Sequence, residues 1–347
     1  MNTEIVNIHR VIVSVFTAIF LSGCTDSTNY SRFQAVSDTP IPLAKHIGTH
    51  TTEPLRPIEL PPIDQLSSPI VNLGRSLFHD TRLSGDGTIS CASCHAIHQG
   101  GDDGLAVATG IRGLQGPINS PTVLNSGLNF RQFWNGRAQT LSDQAKGPVE
   151  ADVEMGAKWE NVISRLGEDN DLRSDFKAVF GTDEINQQRV VDAIATYEKT
   201  LLTPSPFDRY LQGETLAISA EARMGYEKFK SYGCISCHQG KNVGGNLYQQ
   251  FGALQSIDID EFLKVGAKPV IKSREKSVSL VKVPSLRNIE LTAPYFNQGK
   301  ISDLALAVRI MGLSQIGLEI PENDVHLIVE FLKSLTGNWQ IHAELIQ

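Results

Sequence analysis

This 347-residue chain has no disulfide framework, no run long enough to span a membrane and no excess of basic charge. Each absence removes a class of protein. Of five cysteines, four fall in two short pairs and only Cys24 is left over, so cross-links do not hold the fold. The apolar stretch Val11 to Leu21 has eleven residues, too few for a transmembrane helix. Lys and Arg number 31 against 38 Asp and Glu, a net charge of −7. That balance points away from nucleic acid and leaves room for a basic partner protein. No convincing strand pattern is present, so helices must carry the fold. Histidine is missing between His98 and His238, a gap that bears on the chemistry.

What is present begins with Cys91-Ala92-Ser93-Cys94-His95 and its recurrence, Cys234-Ile235-Ser236-Cys237-His238. A Cys-x-x-Cys-His run is the attachment site of a c-type haem. Its two thiols lie one helical turn apart and can both bond one edge of a porphyrin, and the next residue presents an imidazole to the iron. The competing readings are a zinc knuckle and a redox dithiol. Zinc hooks usually lack the trailing histidine, and both copies here carry it. The expected cofactors are two covalently bound haem c groups.

Residues 1–23 read as a secretion signal ending in Leu21-Ser22-Gly23-Cys24, which resembles a bacterial lipoprotein box with Cys24 as the lipidated residue. A plain signal peptide with a chance cysteine is the alternative. Export agrees with covalent haem attachment, which in bacteria takes place outside the cytoplasm. The expected location is therefore the periplasm, tethered to a membrane. Residues 24–68 are polar and hold most of the seven prolines found from Pro40 to Pro69. They read as an extended tether, with His46 and His50 solvated.

Two mainly helical, cytochrome c-like domains are expected, 69–205 and 206–347. In the first, Val71 to Phe78 has helical spacing, Asp80 to Gly87 is turn chemistry, and Gln99 to Gly116 is a glycine-rich loop of a length that usually lines a site. Leu141 to Ala145, Trp159 to Leu166 and Val190 to Leu202 read as helices, and Thr203-Pro204-Ser205-Pro206 ends the last. In the second, Ser219 to Tyr232 delivers Cys234, Ser302 caps a helix from Asp303 to Met311, and a final helix runs from Pro321 to about Leu335.

The second axial ligand decides what each haem does, since a closed haem carries electrons and an open one admits a substrate. For the second haem, Met311, His326 and His342 are all candidates by position. Around the first, His98 is too close in sequence to reach the opposite face easily, and Met155 has no distinctive position. An open first iron is the simplest reading.

The chain resembles the bacterial di-haem cytochrome c peroxidases and their MauG-like relatives. The resemblance rests on Leu73-Gly74-Arg75-Ser76-Leu77-Phe78-His79-Asp80, Gly116-Pro117-Ile118-Asn119-Ser120-Pro121-Thr122-Val123, Gln132-Phe133-Trp134-Asn135-Gly136-Arg137-Ala138, Gln144-Ala145-Lys146-Gly147-Pro148 and Val153-Glu154-Met155. It continues through Pro206-Phe207-Asp208-Arg209-Tyr210, Val283-Pro284-Ser285-Leu286-Arg287-Asn288 and Leu291-Thr292-Ala293-Pro294-Tyr295-Phe296. The resemblance implies that His95 is the proximal ligand of the peroxide-handling haem and that His238 and Met311 close the second. It implies that Trp134 lies between the haems and that Glu154 and Gln144 line the distal pocket. Asn119, with the carbonyls of Thr292 and Pro294, would hold one calcium ion. The implied substrate is hydrogen peroxide and the implied donor a cytochrome c or a cupredoxin; a homodimer is one assembly the sequence allows without fixing it.

One position departs from that pattern. Typical members carry a histidine sixteen residues past the haem histidine that caps the peroxidatic iron, and here Ile111 stands in its place. The MauG-like branch lacks the cap too, but has tyrosine where this chain has Met311. The rival readings are a MauG-like enzyme that oxidises side chains of a partner protein and a non-catalytic di-haem electron carrier.

Overall fold

The computed structural model describes residues 53–255 and 280–338, all within one compact unit, Thr52–Gln347. The expected leader, Cys24, His46, His50 and His342 lie outside the described residues. The described chain is mainly helical. Its strands are β1 (Tyr248–Gln250) and β2 (Leu280–Lys282), an antiparallel pair in which Tyr248 faces Lys282.

The helices in order are α1 (Ile63–Leu66), α2 (Pro69–Phe78), α3 (Cys91–Cys94), α4 (Leu141–Glu150), α5 (Trp159–Gly167), α6 (Asn170–Phe180) and α7 (Gln187–Thr200). They continue as α8 (Pro206–Leu211), α9 (Ala220–Ser231), α10 (Leu304–Met311) and α11 (Glu322–Lys333). Several start where a side chain satisfies free N–H groups. Thr140 accepts from Asp143 N–H, Asp169 from Leu172 N–H and Ser219 from Ala222 N–H, at 3.0, 3.0 and 2.9 Å. For α10 the cap is Asp303 rather than the expected Ser302, because the Asp303 carboxylate accepts from Leu306 N–H at 2.6 Å. Helix α6 was not expected. It buries only Leu172 and Phe176, too few apolar positions to register as a period.

One packing arrangement occurs twice. The helix before each Cys-x-x-Cys-His run crosses the last long helix of its half at a glycine. A Cβ on Gly74 of α2 would lie 2.0 Å from Ala193 O of α7, and one on Gly225 of α9 would lie 1.8 Å from Leu327 O of α11. Only glycine permits such an approach. Around the first crossing, Leu77, Phe78, Val162, Phe176 and Val190 are fully buried. Around the second, Phe207, Tyr226, Phe229 and Phe331 form a ring cluster with centroids 4.9–5.1 Å apart. Side chains of this size each contribute about 1.5–3 kcal/mol on burial.

The tether expected over 24–68 needs correction, because its end is packed. Leu55, Ile58 and Leu66 are 1, 3 and 1% exposed, and Leu55 belongs to the second core. Gly240 N–H donates to Pro54 O at 3.0 Å and Ile58 N–H to Asp208 Oδ1 at 2.7 Å. The prolines marked an extended backbone correctly, but an extended backbone can still dock.

Asp208 and Arg287 sit beneath this lead with 2 and 0% of their side chains exposed, joined by two bonds of 2.7 Å. Removing one member of a buried pair strands the other charge. Asp208→Asn should therefore cost about 3–5 kcal/mol, read as a lower urea midpoint of the holoprotein. Arg209→Ala, which breaks an exposed pair with Glu214, should leave the midpoint in place. Equal midpoints for Asp208→Asn and wild type would contradict this account.

Candidate functional site

Both haem-binding runs form a single helical turn that places the histidine four residues after the first cysteine. His95 N–H donates to Cys91 O, and His238 N–H to Cys234 O, each at 3.0 Å. In the first run, Ser93 Oγ accepts from Ser90 N–H at 2.9 Å and starts the turn. None of the four cysteines of the two runs is paired in a disulfide. Among the described residues no three His, Cys, Asp or Glu side chains converge on one point, which disfavours a zinc knuckle.

The histidines are built alike. His95 Nδ1 faces Gly101 O at 3.3 Å, and His238 Nδ1 faces Val243 O at 3.4 Å. A carbonyl there assigns the proton to Nδ1 and leaves Nε2 as the ligating atom. Burial lowers the His95 pKa, and it pushes His238 down to about 4. Both rings are thus neutral, the form that binds metal. The residues fit two haems: cysteine pairs one turn apart, each followed by a neutral imidazole held from behind.

Around the first run the glycine-rich loop folds back on itself. Gly110 N–H donates to Leu114 O at 2.7 Å, and Ile111 N–H donates to Glu154 O at 2.8 Å. Ile111 is 2% exposed and packs on Gly156. Glu154 is half-buried. Burial raises its pKa, and the charge of Arg137 opposes the rise. Its charge is felt at Cys94, so it lies close to the first run. Gln144 lies half-buried on α4. Met155 is 4% exposed within the first core, and His98 is exposed.

Trp134 stands where the two halves meet. Its Nε1–H donates to Asn119 O at 3.0 Å, and its carbonyl accepts from Lys282 N–H at 2.9 Å. Asn119 N–H donates in turn to Asn297 O at 2.9 Å, which ties this segment to the loop that ends at Asn297. Because Asn119 Nδ2 donates to Leu105 O at 2.7 Å, its Oδ1 is left as an acceptor. Met311 ends α10, and Gly312–Ile316 after it forms a widened π-helical turn, a feature frequent at functional sites. His326 points to solvent on α11.

Three buried ionisable groups were not singled out from the sequence. Asp102 is 1% exposed and its carboxyl oxygens meet no donor; burial, then the charge of Asp103, pushes it up to about 7. Glu198, on α7 and close enough for its charge to act on Cys91, is pushed up to about 8 by burial. Lys282, on β2, is pushed down to about 8 by burial alone. Lys282 stands between apolar residues in Leu280-Val281-Lys282-Val283, whereas Glu198 is followed by Lys199, and neither pattern distinguishes a buried charge from a surface one.

Residues 68–216 match the family described as di-haem cytochrome c peroxidase. Among curated proteins, the chain is 44% identical to "Cytochrome c peroxidase Ccp" of Escherichia coli K12 over 83% of its own length. That match spans 62% of the longer relative. It is 41% identical to "Cytochrome c551 peroxidase" of Nitrosomonas europaea over 82% of its length and 85% of the relative's. Among solved structures, a "MauG-like protein associated with microbial copper homeostasis" superposes with a TM-score of 0.68 at 26% identity, covering 84% of this chain and 96% of that one.

A pH effect follows from Glu198. Its folded pKa lies above the ordinary 4.5, at about 8, so folding favours the protonated form. Stability is then intact below the ordinary value and is lost as pH rises through the folded one. Glu198→Gln should remove that loss. The variant should melt above wild type near about pH 8 and together with it near about pH 4. Parallel melting curves at both pH values would contradict a buried neutral acid.

Proposed function

Because the chain belongs to the di-haem cytochrome c peroxidase family, we infer that it is a cytochrome-c peroxidase, an oxidoreductase that reduces hydrogen peroxide with electrons from a small redox protein. The observation that carries this reading is the paired construction of the two Cys-x-x-Cys-His turns, with neutral histidines backed by carbonyls and with the half-buried Glu154 carboxyl near the first. Cys91, Cys94, Cys234 and Cys237 would attach the haems, and His95 and His238 would ligate them. When bound, the two irons supply the redox chemistry that a two-electron reduction requires.

The protein's own part is to hold and move protons. Glu154 is the proposed acid–base group. Its carboxylate would take a proton from one peroxide oxygen and return it to the departing one. Burial, moderated by Arg137, brings its pKa upward, towards working pH. Gln144 is proposed to orient the peroxide beside it, and Trp134 to lie between the haems. Met311 is proposed as the second ligand of the second haem, a role favoured by the exposure of His326. Ile111 cannot ligate iron, so the first site is proposed to be open before any electron arrives.

One calcium ion is proposed at Asn119 Oδ1 and the carbonyls of Thr292 and Pro294, oxygens of the neutral kind that calcium accepts. The division into haem domains at 69–205 and 206–347 is part of the same reading, as are export to the periplasm and lipidation at Cys24. The alternative, a MauG-like oxidation of a partner's side chains, is favoured by Ile111 alone.

The direct test is steady-state oxidation of reduced cytochrome c or cupredoxin by hydrogen peroxide. Turnover should occur with both haems covalently bound. No turnover with either donor, in protein carrying both haems, would favour the side-chain reaction. Glu154→Gln should keep both haems yet lose about 10²-fold or more in peroxide turnover. In the wild type, turnover should fall on acidification through the raised pKa, since the ionised carboxylate is the working base. A variant within about threefold of wild type would remove Glu154 from proton transfer.

A further inference from the structure

Lys282 is a cation without a visible reason. It is 8% exposed. No charged or hydrogen-bonding group offsets the burial of its ammonium. A buried ammonium is costly unless an anion meets it, and the described residues supply none.

Its surroundings narrow what that anion is. Lys282 pairs with Tyr248 across the β1–β2 ladder, so the two side chains share a face. Tyr248 Oη donates to Gly136 O at 3.1 Å, which turns that face towards the segment carrying Trp134. The Lys282 N–H is itself bound to Trp134 O. The same hairpin lies against the second haem-binding run. Gln249 Nε2 approaches Cys237 Sγ at 4.0 Å, and the Pro284 carbonyl, two residues beyond Lys282, acts on the His238 ring.

We propose that Lys282 is the counter-cation of a haem propionate, the carboxylate belonging to the haem attached at Cys234 and Cys237. The assignment rests on the two-haem reading. Haem c brings two carboxylates to a site whose described side chains leave one buried cation unmatched. The role is a binding one: Lys282 seats the cofactor's acidic edge beside Trp134 and keeps that negative charge from favouring the ferric iron.

The test is a spectroelectrochemical titration of the purified holoprotein, with covalent haem counted beforehand. Wild type carrying fewer than two haems would fail the two-haem reading and not this one. With two haems present, Lys282→Met should lower the midpoint potential of the paired haem by about tenfold in its oxidised-to-reduced ratio, 59 mV for a one-electron couple. Lys282→Arg should stay near wild type. A fall confined to the other haem would overturn the assignment to the haem at Cys234 and Cys237. Shifts under about threefold at both haems overturn it, whatever happens to stability. Should Lys282→Met fail to assemble, Lys282→Gln carries the same titration, because it removes the charge and keeps a polar donor.

Discussion

Much of the second half depends on one buried ion pair. Arg287 is fully enclosed and uses its whole guanidinium: two bonds to Asp208, one to the Lys241 carbonyl and one to the Arg56 carbonyl. Asp208 in turn accepts from Ile58 N–H and from the N–H and hydroxyl of Ser205, which starts α8. Desolvating both charges is tolerable only because nearly every donor and acceptor finds a partner. The pair thereby fixes three segments at once: the N-terminal lead, the break between the halves and the loop that follows His238. That loop supplies the Val243 carbonyl behind the His238 ring, so the orientation of a proposed iron ligand depends on a salt bridge that never touches it.

The two cytochrome c-like halves solve the same problem with different means. Each presses a helix onto another through a glycine and sets a Cys-x-x-Cys-His turn at the end of the pair. The first half then spends its long glycine-rich loop on enclosing Ile111 and Glu154. The second spends a short hairpin on Gln249 and Lys282. Those additions, rather than the shared frame, separate a proposed peroxide pocket from a proposed electron-carrying one. Trp134 belongs to both, tied to Asn119 on one side and to β2 on the other.

The sequence disclosed whatever depends on short spacing. The two haem-binding runs, the amphipathic helices and the break at Thr203–Pro206 are all set by neighbours a few residues apart. It was silent where partners lie far apart in the chain. Leu55 looked like linker because its seat is built from residues 207–335. Helix α6 was hidden because two buried side chains make no period. Asp102, Glu198 and Lys282 passed as ordinary charges, since burial is a property of the folded surroundings and not of the residue. Glu154, Gln144, Trp134 and the proposed calcium oxygens came only with the family resemblance, and no local pattern would have found them.

The docked lead also has a consequence for the order in which the protein is made. Arg287 donates to the carbonyl of Arg56, 231 residues earlier, and Leu55 completes a core whose other members run to Leu335. A chain synthesised from its N-terminus exposes its first Cys-x-x-Cys-His run long before that core exists. The lead must wait, open, until nearly the last helix has arrived. Closure is thus a late event of high contact order, and the first thiol pair is accessible to the attachment machinery throughout the interval. The same long-range clasp means that trimming the folded protein ahead of Ile58 would injure the half most distant in sequence.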